Sequence, residues 1–168
     1  MFSISRYSIQ NAEKMMDLTP RPQEGDQLPA WTLRSLNGKK PPSLEEVQGS
    51  YVLLLFYNLG CTGCVGRGLP LAQRIQDLYP DLRVILIHSD FGQYAYPEKD
   101  ILAEAQRQQL QLEQYRDQGH MTYDAYGAEG TPHWVLIDPQ GRLYRSFFGS
   151  MQQAQLRMDY VLRELFGD

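Results

Sequence analysis

The chain is poor in cysteine: its 168 residues hold two, Cys61 and Cys64. Two cysteines cannot build a framework of several disulfides, and a chain of this length does not need one, because it buries enough surface for a core of its own. Histidine is scarce too, with only His88, His120 and His133. None of these is paired at helical ligand spacing, which argues against a zinc site shared with the cysteines. Long hydrophobic runs are missing. The longest, Val52–Tyr57, falls far short of the ~20 residues a membrane span requires. There is no basic patch or block of like charge. The 16 Lys and Arg are interspersed with 20 Asp and Glu, for a net charge of −4, which excludes the electrostatic footprint of a nucleic-acid binder. Residues Met1–Pro20 show no charged start leading into an apolar core, so no secretory signal is visible and a cytoplasmic location is expected. In that compartment a cysteine pair is more often catalytic than structural.

What is present centres on Gly60-Cys61-Thr62-Gly63-Cys64. This C-x-x-C follows the apolar run Tyr51–Tyr57 and precedes a helical pattern over 62–79. Delivery of a cysteine pair from a strand to a helix N-terminus is a redox arrangement. The helix dipole and its unpaired N–H groups favour negative charge there, and the thiolate is the nucleophile. Cys61 is read as the exposed, attacking thiol and Cys64 as the resolving one, a turn deeper, with the two inside disulfide reach (Cα atoms roughly 4.4–6.8 Å apart). Two inert, buried cysteines are the plain alternative, but this would leave the placement unexplained.

The rest of the chain reads as one domain over 26–168 after a lead-in over 1–25, in which Ala12–Leu18 could form one or two helical turns. Ala30–Leu36 alternates like a strand and ends at the tight-turn pair Asn37-Gly38. Ser43-Leu-Glu-Glu46 is a capping box opening a short helical turn. Tyr51–Tyr57 and Leu82–Ile87 read as strands buried on both faces. Between them, Leu71, Ile75 and Leu78 make a core-facing stripe, while Arg67 and Arg74 look solvated. A second helix is expected over 97–118, opened by Pro97, then a short strand near Met121–Tyr123. Trp134–Ile137 and Arg142–Phe148 pair through the turn Asp138-Pro-Gln-Gly141. A last helix opens with a Ser150/Gln153 capping box and carries Met151, Ala154, Met158, Val161 and Leu165 at helical spacing. The order predicts an α/β fold: a mixed central sheet, helices on both faces, parallel crossovers, and ligand chemistry beyond the carboxyl ends of the parallel strands. The loop after His88 ends on that same edge, and its Phe91, Tyr94 and Tyr96 are candidates for contact with a protein partner.

Four stretches taken together resemble the thioredoxin superfamily, and within it the TlpA-like redoxins related to AhpC/TSA proteins. They are Gly25–Leu33 with Leu36-Asn-Gly38-Lys, Ser43–Phe56, Cys61–Cys64, and Gly130-Thr131-Pro132-His-Trp-Val-Leu-Ile-Asp138-Pro-Gln-Gly141. The resemblance runs from about Gly25 to the C-terminus. It implies a thioredoxin-like fold with an N-terminal β-hairpin extension, and thiol–disulfide oxidoreductase activity at Cys61 and Cys64. It also implies that Pro132 is a cis-proline facing Cys61, with the backbone of Thr131 free to pair with an extended substrate. The expected partners are protein disulfides or dithiols and a thiol reductant or oxidant that recycles the pair. No cofactor or metal is required.

The chain departs from the family pattern in several places. Gly60 stands where many relatives have tryptophan, and Thr62-Gly63 replaces a proline-containing pair. Leu53–Phe56 lacks the buried aspartate of thioredoxins. Val65-Gly66-Arg67-Gly68 lacks the glutamate that TlpA-like proteins often carry. The usual proton acceptor for the buried thiol is therefore absent, leaving water, His88 or a residue of Asp90–Pro97 as substitutes. Peroxiredoxins, the rival enzymes, carry a proline seven residues and a threonine three residues before their nucleophile. Leu54 and Asn58 occupy those positions here. A thioredoxin-fold binding domain without turnover is the alternative from another class.

Overall fold

The structure, a computed structural model, describes residues 20–167. A single six-stranded sheet organises it. The strands are β1 (Leu33–Arg34), β2 (Val52–Tyr57), β3 (Arg83–His88), β4 (Glu113–Asp117), β5 (His133–Ile137) and β6 (Leu143–Phe148), in the order β1-β4-β3-β2-β5-β6. β2 runs parallel to β3, and β3 to β4. β5 is antiparallel to β2 and β6, and β1 is antiparallel to β4. The helices are α1 (Leu69–Leu78), α2 (Glu98–Arg107), α3 (Met121–Ala125) and α4 (Gln152–Phe166). A π-helical turn, Cys64–Gly68, leads directly into α1. Among the described residues no helix is long and apolar enough to cross a membrane.

β2 is central, and all six of its residues are buried because both faces of the sheet are covered. Leu53, Leu55 and Tyr57 point into one core with Leu69, Ala72 and Ile75 of α1, Ile101 of α2, and Met158 and Leu162 of α4. Val52, Leu54 and Phe56 point into the other, which is closed by Leu28, Trp31, Leu44, Val47 and Tyr126, with Tyr123 of α3 packed against it. Helices thus lie on both faces, three on the first and the short α3 on the second.

The Ser43 capping box forms: Glu46 N–H donates to Ser43 Oγ at 3.1 Å, and Ser43 N–H to Glu46 Oε2 at 3.3 Å. The N-terminal hairpin is smaller than its alternation suggested. Leu36 and Lys39 bridge across Asn37-Gly38, both at positive φ (55° and 71°), while only Leu33 and Arg34 pair with β4. The Ala12–Leu18 turns lie outside the described residues.

Four expectations fail for identifiable reasons. The second helix stops at Arg107, and Glu113–Asp117 is a strand. Gln109 adopts a positive φ of 55° that breaks the helix. The glutamine-rich run has helical propensity, and a strand Glu-Gln-Tyr-Arg-Asp hides its alternation because its buried positions are Tyr115 and Asp117. Met121–Tyr123 is helical instead of extended. The buried Asp117 carboxylate accepts from the N–H groups of Thr122 and Tyr123, both at 2.9 Å, and so starts α3. On α1 Ile75 is buried and Leu71 packs partly buried against the core as expected, joined by Leu69 and Ala72, but Leu78 is 62% exposed. Leu78 is the last residue of α1. At α4 no capping box forms. Met151 is the N-cap and is 69% exposed, leaving Met158 and Leu162 as the buried residues.

Candidate active site

β2 ends at Tyr57, and the chain turns through Asn58-Leu59-Gly60 before the helix begins. Asn58 shapes this turn. Its carbonyl accepts from Cys61 N–H (3.0 Å), its Oδ1 accepts from Gly60 N–H (2.8 Å), and its Nδ2 donates to Ser89 O (2.8 Å). His88, paired with Tyr57 across the strands, holds the same turn from β3, its Nε2 accepting from Leu59 N–H at 3.2 Å.

The two thiols are free and unequal: Cys61 is partly exposed and Cys64 is fully buried. Cys61 Sγ accepts from Cys64 N–H at 3.2 Å and donates to Thr131 O at 3.3 Å. Burial pushes the Cys64 thiol up to about 12, with the Cys61 hydrogen bond adding to the shift. The Thr131–Pro132 bond is cis. Pro132 is buried against the motif, its Cδ 3.8 Å from where a Gly63 Cβ would sit and its Cβ 3.5 Å from where a Gly68 Cβ would sit. The fold thus brings Cys61, Cys64, Thr131 and Pro132 together at one point.

His88 has no bond to Cys64. With Nε2 accepting, its proton sits on Nδ1, which faces Asp90 Oδ1 at 3.4 Å, outside hydrogen-bond geometry. Asp90 is engaged by Arg116 Nη2 at 2.5 Å and accepts from Tyr96 N–H at 3.2 Å. Burial holds His88 down at about 4. The group from β2 that feels Cys64 is Tyr57. Its hydroxyl is raised first by burial and next by the Cys64 charge. In the sequence Tyr57 carries no distinguishing signal, standing as one more residue of the apolar run Tyr51–Tyr57. His120 and His133 serve elsewhere: His120 Nδ1 lies 2.6 Å from Asp124 and His133 Nε2 lies 2.6 Å from Ser146 Oγ. Among the described residues no three His, Cys, Asp or Glu side chains cluster as a metal-holding group.

Two further neighbours of the motif went unrecognised in the sequence. A Cβ on Gly60 would lie 2.8 Å from the Tyr96 hydroxyl, and one on Gly63 would lie 2.6 Å from Ser150 Oγ. Both motif glycines therefore make room for side chains from distant loops. Gly130, just before Thr131, does the same for Phe148, whose ring would come within 2.6 Å of a Cβ. The signal in the sequence was glycine at Gly60 and Gly63 within the motif. Which side chains fill the space was not legible there.

Solved structures with this architecture include a thiol-disulfide isomerase from Corynebacterium glutamicum, with a TM-score of 0.74 and 22% identity. The match covers 86% of this chain and 98% of that one. The thioredoxin domain of a thiol-disulfide oxidoreductase from Bacteroides vulgatus matches with a TM-score of 0.64 and 22% identity, covering 83% and 98%. The fold is thioredoxin-like. In sequence, thioredoxin-like protein YneN of Bacillus subtilis is 27% identical over 134 residues, which cover 80% of this chain and 76% of that protein. The AhpC/TSA family matches residues 24–146, and the chain belongs to that family.

Proposed function

We propose that the protein is a thiol–disulfide oxidoreductase. The Cys61 thiolate attacks one sulfur of a protein disulfide, forming a Cys61–substrate mixed disulfide and releasing the other substrate sulfur as a thiolate. Cys64 then passes its proton to water or to the substrate thiolate released in the first step and attacks Cys61 Sγ, which releases the reduced substrate and leaves a Cys61–Cys64 disulfide. A thiol reductant restores the dithiol by the same exchange; an oxidant runs the sequence backwards.

The observation that carries this reading is the position of Cys61 Sγ between Cys64 N–H and Thr131 O, with the second thiol buried behind it. The Cys64 N–H is a donor aimed at the reacting sulfur, and burial keeps the Cys64 thiol protonated in the reduced protein. Residues at the two peroxidase positions support exchange over peroxide reduction: Leu54 is buried in β2, and the Asn58 amide is already bonded to Gly60 N–H and Ser89 O. Reduction of insulin disulfides with dithiothreitol as electron donor tests the proposal. Catalysis that disappears in Cys61→Ser is expected. No rate above the dithiothreitol background would leave a binding domain, and rapid peroxide consumption without insulin reduction would favour the peroxidase.

A further inference from the structure

The loop between β3 and α2 reaches back over the cysteine motif. Tyr96 is locked there from several sides. Its N–H donates to Asp90 Oδ1, and its ring stands edge-on to His88 (centroids 5.6 Å apart) and to Tyr94 (4.8 Å). Its hydroxyl ends against Gly60, immediately before Cys61, in the volume that a Cβ at that position would need. Among the described residues this hydroxyl has no hydrogen-bond partner, and the Tyr96 side chain is only partly buried. A fixed ring with an unused donor and acceptor is thus presented beside the reacting sulfur.

We infer that Tyr96 is a specificity-determining residue of the site. This rests on the thiol–disulfide reading. When Cys61 joins a polypeptide in a mixed disulfide, the Tyr96 hydroxyl hydrogen-bonds a main-chain group next to the substrate cysteine. A phenol can donate to a carbonyl or accept from an N–H, and both flank every cysteine in a polypeptide. The surroundings match an extended substrate. Tyr94 continues outward from Tyr96 and is 61% exposed, and on the opposite side of the motif Phe148 (53% exposed) abuts Gly130. Gly60 is the second half of the device, since a Cβ there would lie 2.8 Å from the hydroxyl and 3.0 Å from Asn58 Oδ1.

The test compares kcat/KM for a cysteine peptide in mixed disulfide with that for 2-hydroxyethyl disulfide, which carries no peptide group. Tyr96→Phe keeps the ring and its packing, so a folding defect does not enter. The ratio of peptide to small-disulfide kcat/KM should fall about five- to tenfold, the worth of one hydrogen bond, with the loss in KM. Gly60→Ala should lower the ratio similarly, and the double variant should be no worse than either single one. An unchanged ratio in Tyr96→Phe, equal losses for both substrates, or multiplying effects of the two substitutions would each overturn the inference. A wild-type protein inert toward both disulfides would overturn the exchange reading itself, an outcome distinct from any of these.

Discussion

Cys61 Sγ lies 3.3 Å from the carbonyl oxygen of Thr131, a residue seventy positions later in the chain. The contact joins the end of β2 to the entry of β5, strands that pair directly, with Phe56 opposite His133. Cys61 and Thr131 thus meet where the chain leaves β2 and enters β5, and the partner of the Cys61 sulfur is main chain, which a side-chain substitution at Thr131 would leave in place.

The first consequence concerns reactivity. At pH 8 a thiol pushed up to about 12 is ionised in about one molecule in ten thousand. Cys64 is also fully buried. Iodoacetamide should therefore modify Cys61 alone in the native reduced protein, and mass spectrometry of the digest should find Cys64 unlabelled until denaturant is added. Labelling of Cys64 ahead of Cys61 would reverse the roles.

A second prediction tests how tightly the loops close on the motif. Gly63 has helical dihedrals (φ −65°, ψ −31°), so alanine suits its backbone and by propensity alone would stabilise. Ser150 Oγ, 2.6 Å from the new Cβ, opposes it. Gly63→Ala should cost about 1 kcal/mol by overpacking, and in a Ser150→Ala background the same change should be neutral or stabilising. Equal effects in both backgrounds, measured by urea unfolding, would show that Ser150 does not close on Gly63.

Stability should also depend on the two buried histidines. Burial holds both His88 and His133 down at about 4, against roughly 6.5 in the unfolded chain. The unfolded state therefore binds more protons in this window. The stabilisation is complete above pH 6.5 and is lost as pH falls toward 4. Urea midpoints should be level near pH 7–8 and decline from pH 6.5 to 5, with a shallower decline in His88→Gln. A flat or rising midpoint over that interval would contradict the assignment of neutral, buried rings.

The sequence made the sheet's central strands and the cysteine pair legible because each carries a strong local signal. Val52–Tyr57 is apolar throughout, and C-x-x-C has a fixed spacing. β4 stayed hidden because its apolar content is one tyrosine, and its partners in the sheet, β1 and β3, come from distant segments. Ser150 read as a helix cap because Ser-x-x-Gln has that local pattern, whereas its hydroxyl is taken up by packing against Gly63. Tyr96 could be placed on the right edge of the sheet, but its approach to Gly60 depends on how Asp90 anchors the loop. The placement of Ser150 and Tyr96 against the motif is long-range, set by contacts between distant segments, whereas the helix break at Gln109 and the start of α3 under Asp117 are local events without a distinctive sequence pattern.

Trapping the mixed disulfide is the most direct test of the central claim. Reduced Cys64→Ser protein, mixed with an oxidised protein substrate, is resolved by non-reducing electrophoresis and peptide mapping. The proposed mechanism predicts a covalent adduct through Cys61, cleaved by dithiothreitol, and no adduct with Cys61→Ser, whose one remaining thiol is buried. An adduct through Cys64 in the Cys61→Ser protein, or none through Cys61 in the Cys64→Ser protein, would contradict it.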